Sequence, residues 1–399
     1  MREMEVYVAN KNLIKNRYYG TTTLSLPATR LAIADALYRA RVETGSDCSV
    51  ECRSGWPEFV ESIINETDSL SVEEINLLAY QISQMDEFQL EIFAGAIQLR
   101  QEENVAVPVT MRELINLAYN LECYEYHPGV TDDFTLGSIA LENDLLDTIR
   151  GISEDVLDLL DAEKVGMEMR RLDMGSFTET GYIFPNNTQH QELYDGIHLP
   201  DIQEIPQGII SVRVVSVYRS EEKGVWMDLP ATAQEMQDVL IQLKEPSFDN
   251  CLIKESVSTA FPYPLAGDED IEKLNILAQK IQSFLDQRTL AKFKAALELE
   301  ICNEVGFALD VAENLDCYDF DSEVYSPAVY AEDIFREAGI DPDDPAFFRF
   351  DFIGYGERQM QQAGHVQTAY GMIIRNENPF AFKYSQIDPT QTEGMTMRP

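Results

Sequence analysis

Two hydrophobic periods alternate along the chain. MEVYVAN (4–10) and IISVRVVSV (209–217) are β-branched runs. Each leads through a short turn into TTTLSL (21–26) or GVWMDL (224–229) and then into Leu-Pro-Ala-Thr. These runs predict strands of a small antiparallel sheet. The proline ends the strand, and Thr29 or Thr232 is positioned to cap a following helix. Further on the period changes to three and four residues, with Val72, Ile75, Leu78, Ile82 and Met85 in one stretch. Ile271, Leu274, Leu277, Ile281 and Leu285 follow the same spacing, and Phe293, Ala296 and Leu297 continue on a second helix. Such stripes are the buried faces of helices. ELINLAYNLECYEY and FALDVAENLDCYDF predict a helix running into an aromatic, acidic loop, and TETGYIF or QTAYGMII predicts a closing strand. The expected class is α+β: a small antiparallel sheet, a helical bundle and a mixed α/β end.

Each of these patterns occurs twice. LPAT recurs at Leu26 and Leu229, INLLAYQIS (75–83) as LNILAQKIQ (274–282), and NLECYEY (120–126) as NLDCYDF (314–320). GMEMRRLDMGSFTETGYIF (166–184) returns as GERQMQQAGHVQTAYGMII (356–374). With the initial strand, five blocks recur in one order. Their offset falls from 203 to 190, so the first copy carries about 13 extra residues, mostly near Arg39–Pro57. The spacing is far longer than that of a solenoid repeat. It predicts an internal duplication: a first unit over 1–185, a polar linker over 186–208, a second unit over 209–385 and a flexible tail over 386–399.

Charge changes the picture. The 399 residues hold 70 acids against 30 bases, a formal net charge of −40. Such a chain repels phosphates and anionic membranes, and favours basic partners. The acids are concentrated. Glu113 to Glu163 holds 13 acids and one base, and Glu298 is followed by 14 more acids and one base up to Asp344. Burying unpaired carboxylates is costly, so the reading is a solvated acidic ridge in each copy. Its candidates are Glu113, Glu122, Glu125, Asp132, Asp133, Asp144, Asp147, Asp155, Asp158, Asp161 and Glu163 in the first copy. In the second they are Glu298, Glu304, Asp310, Glu313, Asp316, Asp319, Asp321, Glu323, Glu332, Asp333, Asp341, Asp343 and Asp344. At one charge per 1.7 Å of B-DNA axis, forty charges correspond to roughly 70 Å, or about 20 base pairs.

The candidate chemistry is sparse. Six cysteines without paired spacing predict no disulfide framework and a reducing cytoplasm. The first residues lack the apolar core of a signal peptide, and no stretch has the length and purity of a membrane span. Cys48, Cys52 and His127 fall short of a zinc set. Cys123 and Cys317 occupy equivalent places and read as small buried residues. None of His127, His190, His198 and His365 pairs with a counterpart in the other copy, which leans against catalysis. Phosphate-binding and dinucleotide loops are absent, and so are basic patches for nucleic acid. Neither cofactor nor metal is expected.

The VYVAN start, the LPAT helix, the NLDCYDF phrase and the FFRFDFIGYGERQ end together resemble the ArdA antirestriction family. That resemblance covers nearly the whole chain, once per copy. It implies an elongated, curved, acidic DNA mimic of three small domains per unit, which blocks the DNA groove of type I restriction–modification enzymes and commonly dimerises. The family's antirestriction motif is matched at Phe347, Phe348, Phe350, Asp351, Phe352, Tyr355 and Gly356. The first copy, with Leu157, Leu160 and Gly166 there, lacks the aromatics. Because the resemblance places this region at a dimer interface, the two copies are expected to form an intramolecular pseudo-dimer, or a homodimer of such chains. The expected function is non-catalytic inhibition of a basic DNA-binding defence enzyme. The alternative is an acidic scaffold or adaptor for another basic protein.

Overall fold

The computed structural model describes residues 3–67, 70–143, 145, 153, 156, 159–202, 206, 208–219, 223–261, 265, 267–284 and 286–385. Among them the fold is mixed α+β, with four three-stranded antiparallel sheets. The strands are β1 (Met4–Asn10), β2 (Thr22–Leu26), β3 (Cys48–Ser54), β4 (Tyr124–Pro128), β5 (Ser176–Phe177), β6 (Gly181–Pro185), β7 (Ile210–Ser216), β8 (Val225–Leu229), β9 (Cys251–Ser258), β10 (Tyr318–Asp321), β11 (Val366–Gln367) and β12 (Met372–Arg375). The sheet orders are β2-β1-β3, β4-β6-β5, β8-β7-β9 and β10-β12-β11. Leu285 and the expected tail lie outside the described residues, as does part of the expected linker.

The turn from sheet to helix is built alike at both LPAT sites. The Leu26–Pro27 and Leu229–Pro230 peptides are cis. Thr29 accepts from the Ala32 amide to cap helix Arg30–Arg39, and Thr232 with Glu235 forms a capping box on helix Ala233–Leu243. Between proline and cap, one residue turns both of its backbone polar groups inward. A buried asparagine satisfies them. The Ala28 amide donates to Asn76 at 2.6 Å and Asn76 donates back to the Ala28 carbonyl at 3.0 Å. Ala231 and Asn275 repeat this at 2.7 and 3.0 Å. Each asparagine rides on a helix, Val72–Gln84 or Ile271–Gln282, whose apolar stripe is buried. In this way one side chain ties the sheet's exit to the helical bundle.

Two compact units emerge, one holding the described residues of 1–7, 23–28 and 49–203, the other those of 8–22, 29–48 and 204–385. The stretches 8–22 and 29–48, part of the first copy in sequence, thus group with the second unit. In the first unit, helices Asp133–Glu142 and Ala162–Asp173 meet so closely that a Cβ on Gly166 would overlap the Asp133 carbonyl, and one on Gly137 that of Ala162. A small core of Leu136, Ala140, Met169 and Tyr182 lies beside them.

The core of the second unit includes Leu274, Leu277, Phe293, Ala296, Leu297 and Leu309, fully or almost fully buried. Helix Arg30–Arg39 is anchored there by Asp35. This carboxylate is 10% exposed and accepts from the Lys294 ammonium at 2.5 Å, from Arg39 at 2.9 Å and from the Tyr370 hydroxyl at 3.1 Å. Burial pushes the Lys294 pKa down, and the Asp35 charge opposes that shift.

Three local features differ from expectation. β3 and β9 add a third strand to the sheets around β1 and β7. Helix Glu58–Asn65 follows β3, where the sequence suggested only extra residues. Finally, the phrase expected as an acidic loop is a short 3-10 turn followed by a strand. β4 pairs with β6 and β10 with β12, partners more than 50 residues away that no local pattern reveals. Replacing Asn76 or Asn275 by Leu strands an amide and a carbonyl in the interior. Each change is expected to cost about 2–3 kcal/mol, seen as an earlier urea transition in the affected unit.

Candidate functional site

The repeated phrase and the segment after each closing hairpin form one construction. In the first unit the chain beyond β6 runs back as a strap over helix Met111–Tyr119. The Asn186 amide donates to the Cys123 carbonyl at 2.8 Å. Asn120, 1% exposed, accepts from the Gln191 amide at 2.8 Å and donates to its carbonyl at 2.9 Å. Asn116 accepts from the Leu193 and Tyr194 amides at 2.9 and 3.0 Å. The second unit does the same beyond β12. Asn376 donates to the Cys317 carbonyl at 2.8 Å, and Asn314 exchanges two bonds of 2.9 Å with Ala381. Asp310 stands where Asn116 does. Its oxygens accept from the Lys383, Tyr384 and Ser385 amides at 2.7, 2.8 and 2.9 Å and from the Ser385 hydroxyl at 2.5 Å. Residues 186–194, expected as free linker, are therefore pinned.

These bonds correct part of the acidic ridge. Asp310 is completely buried and belongs to the clamp, not to the surface. Four donors compensate its charge, as a buried carboxylate requires. Glu113 is half-buried, closes a capping box with Thr110 and pairs with Arg100 at 2.6 Å. Burial opposes its ionisation, yet the bonds from Thr110 and Arg100 hold its carboxyl below the usual range. Asp133 pairs with Arg170 at 2.9 Å, and Glu313 with Lys280 at 3.1 Å. Glu332 and Asp333 share Arg336. Glu298 is half-buried, accepts from the Ala369 amide at 3.1 Å and has its pKa raised by burial. The few bases thus compensate several of these acids, and the solvated ridge is narrower than the sequence suggests.

The exposed remainder is Glu122, Glu125, Asp132, Asp161 and Glu163 in the first copy, and Glu304, Asp316, Asp319, Asp321, Glu323, Asp341, Asp343 and Asp344 in the second. Asp132, Asp161 and Asp344 also cap helical turns. The amide and hydroxyl of Thr135 hold the Asp132 pKa down. Glu122 and Asp316 occupy equivalent 3-10 turns, while Glu125 and Asp319 lie on β4 and β10, all facing solvent. Asp144, Asp147, Asp155, Asp158 and Leu157 lie outside the described residues.

The aromatic motif forms a core of its own. Phe335 has Phe347, Phe350 and Phe352 each at 5.2 Å and Tyr355 at 5.8 Å. Phe352 is 1% exposed, and Gly356 lets helix Phe352–Ala363 approach the Pro327 carbonyl. Asp351 caps that helix. Only Phe348, at 78%, projects strongly into solvent. In the first copy Leu160 packs on the Tyr182 core, and Gly166 makes the helix crossing described above.

All six cysteines are buried, and none is in a disulfide. Burial pushes the Cys52 thiol up to about 12 and those of Cys251 and Cys302 up to about 11, far from the thiolate a nucleophile needs. His127 stacks on Phe184 and His190 meets the edge of Tyr124. Among the described residues no three His, Cys, Asp or Glu side chains are grouped to hold a metal ion, and no helix is long and apolar enough to cross a membrane. No family model and no curated protein sequence matches the chain.

Asp310→Asn would turn an amide donor toward the strap's own donors. It should destabilise the second unit by about 2–3 kcal/mol, whereas Asn116 does the corresponding work without charge. Added salt should raise the thermal midpoint of the whole protein, because screening weakens the repulsion among exposed acids. Calorimetry at low and high ionic strength reads both effects.

Proposed function

We propose that this chain is a non-catalytic DNA mimic that occupies the DNA groove of a type I restriction–modification enzyme or a related defence enzyme. The observation that carries this reading is the solvent-facing quartet Glu122, Glu125, Asp316 and Asp319. Acids are kept at matching places on matching turns and strands, in a chain of net charge −40. Among the described residues the clamp takes no hydrogen bond from the carboxylates of Glu122, Glu125 or Asp316, and the one that Asp319 accepts from the Asn376 side chain at 3.1 Å could be accepted by an asparagine as well. A basic groove, however, would exchange its counterions for such acids as it does for phosphates.

On this reading the chain is a tandem duplication, with copies over 1–185 and 209–385. Both contribute acids to one imitation duplex, and a single chain acts as its own pseudo-dimer. The site of action is the cytoplasm of a bacterial host, where the target enzyme meets incoming DNA from a mobile element or phage. The recurring clamp, and the asparagines that bond Ala28 and Ala231 alike, support the duplication. The ArdA resemblance supports the target class.

The test is competition. A type I restriction–modification core enzyme is bound to a labelled duplex of about 30 base pairs, longer than the roughly 20 that forty charges could imitate, and the protein is titrated in at two salt concentrations. Stoichiometric displacement that weakens with salt is the expected result. A duplex that stays bound rejects this target, and an acidic adaptor for another basic protein then becomes the better reading. Changing the quartet together to Gln and Asn should weaken displacement about tenfold or more, and single changes less than about threefold. A single change that abolishes displacement would contradict a spread-out electrostatic interface.

A further inference from the structure

Three differences between the copies fall at one place. In the second unit the clamped Ala381 is flanked by Phe380 and Phe382. Their rings lie 4.9 Å apart and pack on Phe307, three residues before Asp310, at 6.1 and 6.3 Å. The first strap carries His190 and Glu192 at those positions, and Glu113 stands in the place of Phe307. Together with Tyr124 these residues line a hollow of about 860 Å3. The strap has not lifted to leave it. His190 packs edge-to-face with Tyr124 at 5.4 Å and 88°, as Phe380 does with Tyr318 at 6.4 Å and 87°, and Asn120 bonds both polar groups of the Gln191 backbone.

The second difference is at the rim. Helix Ala162–Asp173 ends on Met174, which holds a left-handed backbone, φ 53°, and leaves its side chain 70% exposed beside the hollow. Its counterpart is Gly364, φ 77°, the residue that such a cap favours. Methionine there accepts backbone strain and turns apolar surface to water, whereas glycine closes the equivalent helix without either. Third, helix Glu87–Glu103 has 17 residues where helix Gln287–Leu299 has 13, and the connection after it runs over 104–110 instead of 300–304. The longer connection sets Val107, 46% exposed, on the same rim. Leu99, Leu117 and Pro185 add apolar wall. The charge of the hollow is not balanced. Arg100 pairs with Glu113 and Arg112 with Glu192, while Glu103, exposed on the wall, has no ion pair among the described residues.

We propose that this hollow is a docking site for an extended peptide of a partner protein, carrying two aromatic side chains at alternate positions with a lysine or arginine next to them. The second unit displays the matching occupant in its own strap. Phe380-Ala381-Phe382-Lys383 sets two rings side by side over the bundle and a cation directly after them. Alternate residues of an extended chain share a face, so one peptide seats both rings. In the first unit the strap supplies no rings and the rim is enlarged in apolar surface, so the rings come from outside. They pack on Tyr124 and His190, and the flexible Met174 thioether adapts to them. The cation meets Glu103 and the negative charge of the chain around it. The site is independent of DNA mimicry, and either can fail alone.

The test is calorimetric titration of the full chain with the peptide Asn-Pro-Phe-Ala-Phe-Lys-Tyr, the sequence of residues 378–384, followed by NMR of the methionine methyl groups. The peptide should bind saturably and shift the Met174 methyl. Replacing both of its phenylalanines by alanine should weaken binding about tenfold or more. Exchanging its lysine for glutamine should weaken binding about threefold, and Glu103→Gln in the protein should remove that difference. Met174→Gly should weaken binding severalfold with the thermal midpoint unchanged or higher, because glycine suits the left-handed cap. The double change His190→Phe with Glu192→Phe installs the second unit's rings and should abolish binding, with the far-ultraviolet spectrum unchanged. Failure of the peptide to saturate at millimolar concentration, equal binding of the alanine peptide, unchanged affinity in Met174→Gly, or equal competition by phenylalanine amide alone would overturn the proposal.

Discussion

Everything in this molecule is arranged around an excess of like charge. Seventy carboxylates and thirty cationic side chains share one chain of 399 residues. Each acid must face water, meet a base or be wrapped in donors, because an unpaired buried carboxylate costs several kcal/mol. All three solutions are visible. Asp316 and Asp319 face water, Glu113 and Asp133 take scarce arginines, and Asp310 is wrapped by three amides and a hydroxyl. Cohesion is therefore assigned largely to neutral groups. The asparagines at 76, 120, 275 and 314 join distant segments without adding to the charge.

The phrase that the chain repeats combines two roles in seven residues. Its asparagine and its cysteine carbonyl hold the returning strap, and its aromatic residue begins a strand inside the sheet. The acids between them are left outside. Structural and electrostatic duties are thus interleaved within seven residues: Asn120 and Cys123, like Asn314 and Cys317, are buried, while Glu122, Glu125, Asp316 and Asp319 are exposed on the 3-10 turn and the strand that follows it. At Glu122, Glu125 and Asp316 the charge can vary without removing a bond of the clamp, whereas Asp319 also receives the Asn376 side chain. Conversely, the clamp is able to keep its form while the strap's flanking residues change from Phe380 and Phe382 to His190 and Glu192.

Much of the local architecture is legible in the sequence. The β-branched runs, the LPAT caps at Thr29 and Thr232, and the helical stripes all appear as strands, caps and buried faces. What the pattern conceals is long-range pairing. β3 carries the weakly alternating CSVECRS and is recognisable only by its place beside β1. Tyr124 and Tyr318 begin strands because β6 and β12 arrive to meet them. The ridge was overdrawn for a related reason. Spacing marks Asp310 as one acid among many, but only the returning strap shows that it is enclosed. The aromatic run from Phe347 to Tyr355 packs around Phe335, a residue outside the motif that no local pattern singles out.

The anchoring of helix Arg30–Arg39 has a consequence for the life of the chain on the ribosome. Asp35 finds Lys294 and Tyr370, Arg41 reaches the Tyr370 carbonyl at 3.0 Å, and Asn16 bonds the Tyr325 hydroxyl at 2.9 Å. Stretches made among the first fifty residues therefore await partners made more than 250 residues later. Domains usually complete themselves in order of synthesis, but here helix Arg30–Arg39 must stay unclaimed until Lys294 and Tyr370 have been made. A chain interrupted before Lys294 would leave Asp35 without either of these partners, so the helix's seat depends on residues supplied by a much later stretch of the chain.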